Sequence, residues 1–450
     1  MDQKKIALVY PSYVSFTSKK SLEGTWIHHG ISSIISYANK MGQKVDLIDL
    51  RQLSNWTEFE NAIVHYDIVG YSILSQDLEM ALKSIKINKA VNPDAKIVVG
   101  GVHVTVDPEE FIKKDYIDFI IIGEGEIAFS NIITDLMHNI IPNRIIEGQR
   151  LDLEEIPFIK RDLWPEEMAT EFHGLDEPFF TLIGSRACIY NCSFCQPCTR
   201  KMFGKKERIR SPGNLVDEII YLKKNYNLKS FFILDDNAFQ NRKWLEGFIE
   251  KFEESGIDSR FMMSGRSDNI YKNRDLLPNL RELGLSYVFV GFESGSQKIL
   301  KYIKKGTTVE INEKAAEELQ KNGIGVYANV MFGFPIETKE DIKLTVKMIK
   351  KMKPTILSPT TYTPYPGNYL SDEYEKKGLI FQNLGNFTRY PDRPKIKGVK
   401  YLYINWTIFK LQLYLADSYS DKFKKLIFYS YLHLNIIKFY LLNYLRININ

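Results

Sequence analysis

Short β-branched runs alternate with amphipathic segments along two stretches of this 450-residue chain. In the first stretch the runs are KIALVY (5–10), KVDLIDL (44–50), DIVGYSIL (67–74), KIVVGG (96–101) and DFIIIGEGE (118–126). Each has strand length and composition. Between them, HGISSIISYANKMG, the segment from Asp77 to Val91 and residues 108–114 read as helices, the first ending at Gly42. Strands joined through helices imply a parallel sheet covered on both faces. Residues 1–140 are therefore expected to form an α/β, doubly wound, Rossmann-like domain. Ligands of such sheets sit beyond the carboxyl ends of the strands. Those ends carry Ser72, the pair Gly100 and Gly101, and the GEGE run 123–126.

Residues 141–177 are irregular, acidic and punctuated by Pro142, Pro157 and Pro165, as a linker would be. The rhythm resumes with FFTLIGS (179–185), FFILDDN (231–237), FMMSGRS (261–267), YVFVGFES (287–294), GVYANVMFGFP (325–335) and TILSPTTYTPYP (355–366). Helical patterns such as 215–226 and 314–323 lie between. Six βα units in about 190 residues suit a partial (β/α)6 TIM-like barrel over 178–370, with its site where the strands end. Residues 371–450 read as a C-terminal helical extension, poor in acids after Lys400.

Composition narrows the function. Lys and Arg number 60 against 55 Asp and Glu, a net charge of +5, too balanced for a nucleic-acid partner. Apolar residues make up 44% of the chain and charged residues 26%, which excludes general disorder. The N-terminal apolar run is too short for a signal peptide, and no uncharged apolar stretch of about 18 residues is present. The expected setting is reducing and cytoplasmic.

All four cysteines, Cys188, Cys192, Cys195 and Cys198, fall within eleven residues. Clustered cysteines in an intracellular chain point to metal rather than disulfides. A four-cysteine zinc site usually draws on two separated ligand pairs, and there is no second pair. Cys188, Cys192 and Cys195, just after the first barrel strand, can hold three irons of a [4Fe–4S] cluster and leave the fourth for a chelating substrate. Cys198 is read as a nearby thiol outside the cluster. As a fourth ligand it would instead make an electron-transfer centre.

CIYNCSFC resembles the CxxxCxΦC signature of radical S-adenosylmethionine (SAM) enzymes, with Phe194 as the aromatic residue. The resemblance extends from about 180 to 370 through RIRSPGNLVDEI, FFILDDNAF, GRSD, VGFESGSQKILKYIKKGTT, VMFGFPIET and TPYPGN, in the family's order. Ala187 and Ile189 stand where relatives often carry Gly and Pro, a change of loop geometry that the fold should tolerate. The resemblance implies that SAM chelates the open iron, that an electron from the cluster cleaves it to methionine and a 5′-deoxyadenosyl radical, and that this radical abstracts hydrogen from substrate.

It also implies roles for strand-end residues. Asp235 or Asp236 would hold the methionine amine, the alternative being a helix cap. Arg266 would clamp the carboxylate, the alternative being an ion pair. Glu293 and Ser294 would meet the ribose, or form a barrel-mouth contact. Gly333 and Pro335 would let backbone approach the adenine, or make an ordinary turn. Residues 363–366 would form a rim loop facing substrate.

The N-terminal stretches DIVGYSILSQD, KIVVGGVHVTVDPEEF and DFIIIGEGE resemble the cobalamin-binding domain of one large radical SAM subgroup. Ser72, Gly100 and Gly101 would lie against the corrin's nucleotide tail, where small residues permit close approach. The cobalt-ligating pattern D-x-H-x-x-G is out of register here: Thr25 and Ile27 occupy the Asp and His places. His28 and His29 read as polar residues at a helix start, and His103 as a surface or corrin-edge residue. The acids of 123–126 argue against phosphate.

The tail from Lys422 is aromatic and basic. It reads either as a helix packed on the barrel or as one lying at the inner face of a membrane. The implied function is a radical SAM enzyme using a [4Fe–4S] cluster, SAM and possibly cobalamin, with methylation of an unactivated carbon as the outcome. The substrate is an unidentified metabolite, lipid, tetrapyrrole or peptide, and the electron donor is of the flavodoxin or ferredoxin type. A radical SAM oxidoreductase or cyclase without cobalamin, and a four-Cys electron carrier, stay open. A methylthiotransferase-type RNA modifier needs N-terminal cysteines for a second cluster, and residues 1–187 contain none.

Overall fold

The computed structural model describes residues 4–12, 14–15, 27–164, 174–195, 199–381, 387, 389, 393–416 and 419–449. The chain divides into two compact units. One comprises Met1–Ile189, Gln196–Asp236 and Glu250–Arg260; the other comprises Tyr190–Cys195, Asn237–Ile249 and Phe261–Asn450.

The first unit opens with six strands: β1 (Ile6–Tyr10), β2 (Asp46–Asp49), β3 (Ile68–Ser72), β4 (Lys96–Gly100), β5 (Phe119–Ile122) and β6 (Ile145–Glu147). They pair in the order β2-β1-β3-β4-β5-β6, all parallel. Alternate residues feed opposite faces, as the two-residue strand period requires. Ala7, Val9, Val69, Tyr71, Ile97 and Val99 enter one core. Ile6, Leu8, Ile68, Val98, Phe119 and Ile121 enter the other. Helices cover both faces, so the expected doubly wound sheet is present. Its order reverses between β1 and β3, the crevice position of such folds. Strand β6 lies inside the segment read from sequence as irregular. Three residues carry too little periodicity to announce a strand, and its pairing with β5 supplies what the local pattern lacks.

The same unit holds β7 (Phe179–Leu182), the antiparallel pair β8 (Ser185–Arg186) and β9 (Arg208–Ile209), and β10 (Ser230–Ile233), which pairs parallel with β7. The helix Pro212–Tyr226 precedes β10. Ser211 caps it, proline sits at its first turn, and Asn227 ends it in a left-handed conformation.

The second unit carries β11 (Arg260–Gly265), β12 (Leu285–Glu293), β13 (Gly325–Phe332) and β14 (Ile356–Thr361), paired in sequence and parallel. The register between β12 and β13 shifts between Gly291 and Glu293. All six strands expected after residue 178 are therefore found. The helices Tyr401–Tyr414 and Tyr419–Ile449 pack together, with Tyr429, Leu432 and Ile436 buried and Asn405 Nδ2 3.3 Å from His433 Nδ1. The opposite face of the longer helix exposes Phe423, Ile427, Tyr431 and Leu434. Among the described residues no helix is long and apolar enough to cross a membrane.

Candidate functional site

In the first unit an open cavity of about 300 Å³ is lined by the inner strands near their carboxyl ends. Gly70, Ser72, Gly100 and Gly101 all face it. Gly101 has φ +96°, and a Cβ there would meet Ile73 N at 2.8 Å and Ser72 Oγ at 3.0 Å. Only glycine fits that backbone without strain. Small residues thus wall the cavity at the switch point of the doubly wound sheet.

His28 and His29 also line this cavity. His28 caps the helix His29–Lys40, its Nδ1 accepting from Ile31 N at 3.1 Å. An accepting Nδ1 places the proton on Nε2. That Nε2 is buried without a partner. Burial pushes the ring down to about 4, so His28 is a neutral donor rather than a metal ligand through Nε2. His29 Nε2 lies 2.8 Å from Thr181 Oγ1, and burial holds that ring well below its ordinary range. The helix-start reading of both residues is borne out, while Thr25 lies outside the described residues. His103 is neither at the surface nor on the cavity wall. It is 1% exposed, with Nδ1 3.0 Å from Ser75 Oγ and Nε2 3.3 Å from Glu110.

The acids of the GEGE run are held by two arginines that are 60 or more positions away in sequence. Arg186 Nη1 lies 2.8 Å from Glu124 and Nη2 2.6 Å from Glu126, and Arg208 also pairs with Glu124. Ser33 Oγ donates to Glu126 at 2.6 Å. Burial works to raise both carboxyls. For Glu126, Arg186 and Ser33 outweigh it and hold the group low, whereas Glu124 stays raised. Sequence reading missed Arg186 and Arg208, because nothing local ties a βα loop to strands so distant.

The two aspartates after β10 separate. Asp235 Oδ1 accepts from Gly184 N at 2.7 Å and from Ser185 N at 3.1 Å, and Oδ2 accepts from Ser185 Oγ at 2.9 Å. It ties β10 to the turn after β7, and burial pushes it up to about 6. Asp236 is exposed on the cavity wall, with its carboxyl raised by the surrounding protein. Asp236 is thus the accessible carboxylate of the pair.

Cys188, Cys192 and Cys195 are half-buried thiols, none in a disulfide. Cys198 lies outside the described residues. Ala187, beside Cys188, has φ +78°, a left-handed conformation that favours glycine. In the second unit Arg266 Nη1 donates to Cys192 Sγ at 3.5 Å. The guanidinium carbon sits 3.6 Å from the centre of the Tyr190 ring. Phe194 meets Phe334 edge-on at 6.3 Å between centroids, which brings the 333–335 turn against the cysteine loop. Gly333 takes φ +90° and donates to Glu337 Oε2 at 2.7 Å, while Pro335 is half-buried. Glu337 Oε1 is buried without a partner, and burial pushes the carboxyl up to about 8.

Glu293 ends β12 at φ +62°, costly for a residue with a Cβ, and its Oε1 lies 2.8 Å from Lys305 Nζ. Both side chains are buried. Burial works to lower Lys305, and Glu293 with Cys192 outweighs it, so the ammonium is held above its usual range. Ser294 is fully buried with its hydroxyl 3.1 Å from Thr345 Oγ1 and accepting from Ser296 N. It braces the loop in this structure. The expected rim loop at 363–366 is also packed: Thr363 and Tyr365 are buried, and Tyr365 stacks on Phe387.

Residues 182–349 match the family described as the Radical SAM superfamily, and residues 19–133 match the B12 binding domain. The chain is 30% identical over 334 residues to bacteriochlorophyllide d C-8(2)-methyltransferase of Chlorobaculum tepidum, covering 70% of each. It belongs to the radical SAM superfamily. It also carries a B12 binding domain, and its relatives include methyltransferases and anaerobic magnesium-protoporphyrin IX monomethyl ester cyclases. It is 29% identical over 324 residues to an uncharacterized methyltransferase of Pyrococcus horikoshii, covering 68% of each. The radical SAM methyltransferase TsrM of Kitasatospora setae, solved with cobalamin and a [4Fe–4S] cluster bound, superposes with a TM-score of 0.65 at 15% identity, over 83% of this chain and 75% of that one. At that identity the likeness is one of fold.

Proposed function

We propose that this chain is a cobalamin-dependent radical SAM methyltransferase acting at an unactivated carbon. The observation that carries the reading is the stretch of chain with Cys192 and Cys195 in the second unit. Cys192 lies under a cation, and the glycine turn after β13 touches the same loop through Phe334. Thiolates beside Arg266 and Lys305 suit an anionic iron–sulfur cluster, and the glycine wall at Gly101 suits a corrin tail. Both donor sets fit their groups. When bound, the cluster and SAM supply an electron and a radical-forming leaving group, and methylcobalamin supplies the methyl.

The chain's own residues bind and orient. Cys188, Cys192 and Cys195 hold three corners of the cluster. Asp236 accepts from the methionine ammonium, Glu293 is positioned by Lys305 at the ribose, and the backbone at Gly333 and Pro335 faces adenine. Asp235 and Ser294 hold the loops on which these groups stand. Ser72, Gly100 and Gly101 admit the nucleotide tail, and the His28 Nε2 proton is a donor for a polar group placed in the cavity. A low-potential donor of the flavodoxin or ferredoxin type, in a reducing cytoplasm, supplies electrons. The cobalamin-binding-like sheet runs past residue 140 to include β6, and the barrel strands begin at β7.

Anaerobic reconstitution with iron, sulfide and hydroxocobalamin, then SAM and dithionite, tests the proposal. The expected result is retained corrin after gel filtration and 5′-deoxyadenosine by mass spectrometry. A fully loaded, reduced sample that forms no 5′-deoxyadenosine would overturn it. Formation of 5′-deoxyadenosine without retained corrin would instead favour the oxidoreductase or cyclase reading.

A further inference from the structure

We infer that Arg266 is a positioning residue for the cluster's electron, raising the reduction potential through the sulfur of Cys192 rather than serving as an open clamp for a carboxylate. The inference rests on the cluster assignment above and concerns what surrounds one of its ligands.

The guanidinium is only slightly exposed, and its edges are occupied. Nε donates to Asp268 Oδ1 at 3.0 Å. Nη2 donates to Asp268 Oδ2 at 3.2 Å and also to the Lys305 carbonyl. Nη1 points at Cys192 Sγ. A bidentate clamp needs a fork with two donors to spare, and Asp268 and the Lys305 carbonyl have taken Nε and Nη2.

The aim of Nη1 is fixed by a closed circuit. Tyr190 lies against the guanidinium face and donates its hydroxyl to Asn269 Oδ1 at 2.9 Å. Asn237 Nδ2 donates to the same oxygen at 2.7 Å, and Asn237 Oδ1 accepts from the Arg266 backbone N at 3.1 Å. Tyr190 is two residues before Cys192, so the aromatic plate and the thiolate come from one turn of chain. Backbone, side-chain face and sulfur contact are therefore set together. Lys305 adds a second buried cation nearby, with Nζ 5.9 Å from the centre of the Phe194 ring.

Reduction adds one electron from dithionite or the protein donor to the cluster and so adds one negative charge. A donor and a fixed cation at a ligating sulfur stabilise the reduced form more than the oxidised form, which raises the potential. The position of Arg266 thus eases delivery of the electron that the chemistry requires.

An EPR-monitored redox titration of the full chain, reconstituted and without SAM, tests this. Arg266→Gln, compared with wild type at equal iron content, should show about a tenfold lower ratio of reduced to oxidised cluster at a fixed poise near the midpoint, a shift of about 59 mV to more negative potential for a one-electron couple. Tyr190→Leu, which removes the plate but keeps the charge, should shift in the same direction by less, and Tyr190→Phe, which keeps the plate and loses only the hydroxyl bond to Asn269, by less again. If Arg266→Gln loads no cluster, the Tyr190 pair decides. Unchanged midpoints in the variants that load would overturn the inference, and a SAM affinity weakened in Arg266→Gln would then restore the clamp. Failure of SAM to perturb the wild-type cluster would instead count against the proposed function and leave the comparison of potentials standing.

Discussion

Ala187 holds a left-handed backbone one residue before Cys188, a conformation that costs a residue with a Cβ about 1–2 kcal/mol. Ala187→Gly should therefore stabilise the chain by about 1 kcal/mol, less glycine's larger entropy loss, seen as a higher denaturant midpoint at unchanged slope. Glu337 makes a pH prediction. Its carboxyl is pushed up to about 8 by burial, while in the unfolded chain it ionises near 4.3. Between those values the folded chain keeps a proton that the unfolded chain has released, so stability falls as pH rises through that window. Glu337→Gln should flatten that decline and raise stability at pH 8 by about 1–2 kcal/mol, measured by urea melts from pH 5 to 8.5. At this scale the sequence marks which positions matter but not which way a side chain turns. The Asp235–Asp236 pair was visible as a strand-end motif. That the first braces Gly184 and Ser185 while the second faces the cavity depends on a turn 50 residues away.

The elements themselves were largely legible, because β-branched runs of strand length and capped amphipathic helices declare themselves locally. Strand β6 was not, being three residues long and dependent on β5. The stretch at 363–366 shows the converse: turn-forming residues declare a bend without saying that Thr363 and Tyr365 are buried in it. The strand pair β8–β9 makes the most consequential contact that local pattern hides. Its arginines meet the loop after β5 through Glu124 and Glu126. Glu124→Gln removes the charge that faces both arginines in a buried site. It should destabilise the chain by about 3 kcal/mol in chemical denaturation, whereas an effect below about 0.5 kcal/mol would show the contact to be incidental. Gly101→Ala, forced into φ +96° against Ile73, should cost about 2 kcal/mol on the same measurement and reduce corrin retention.

At the scale of the whole molecule, two βα systems with cofactor-like residues at their strand ends were readable from the order of motifs alone. The partners of those residues were not, since ion pairs, left-handed positions and orphaned atoms arise only when distant segments meet. The family assignment and the B12-binding domain agree with that reading and leave the substrate to experiment. The central proposal is a cluster held by Cys188, Cys192 and Cys195 with one iron open to SAM. EPR of the reduced, reconstituted chain, recorded with and without SAM, tests it. We predict a signal that SAM shifts and that Cys198→Ala leaves intact. A spectrum indifferent to SAM and abolished by Cys198→Ala would show four protein ligands and contradict the assignment.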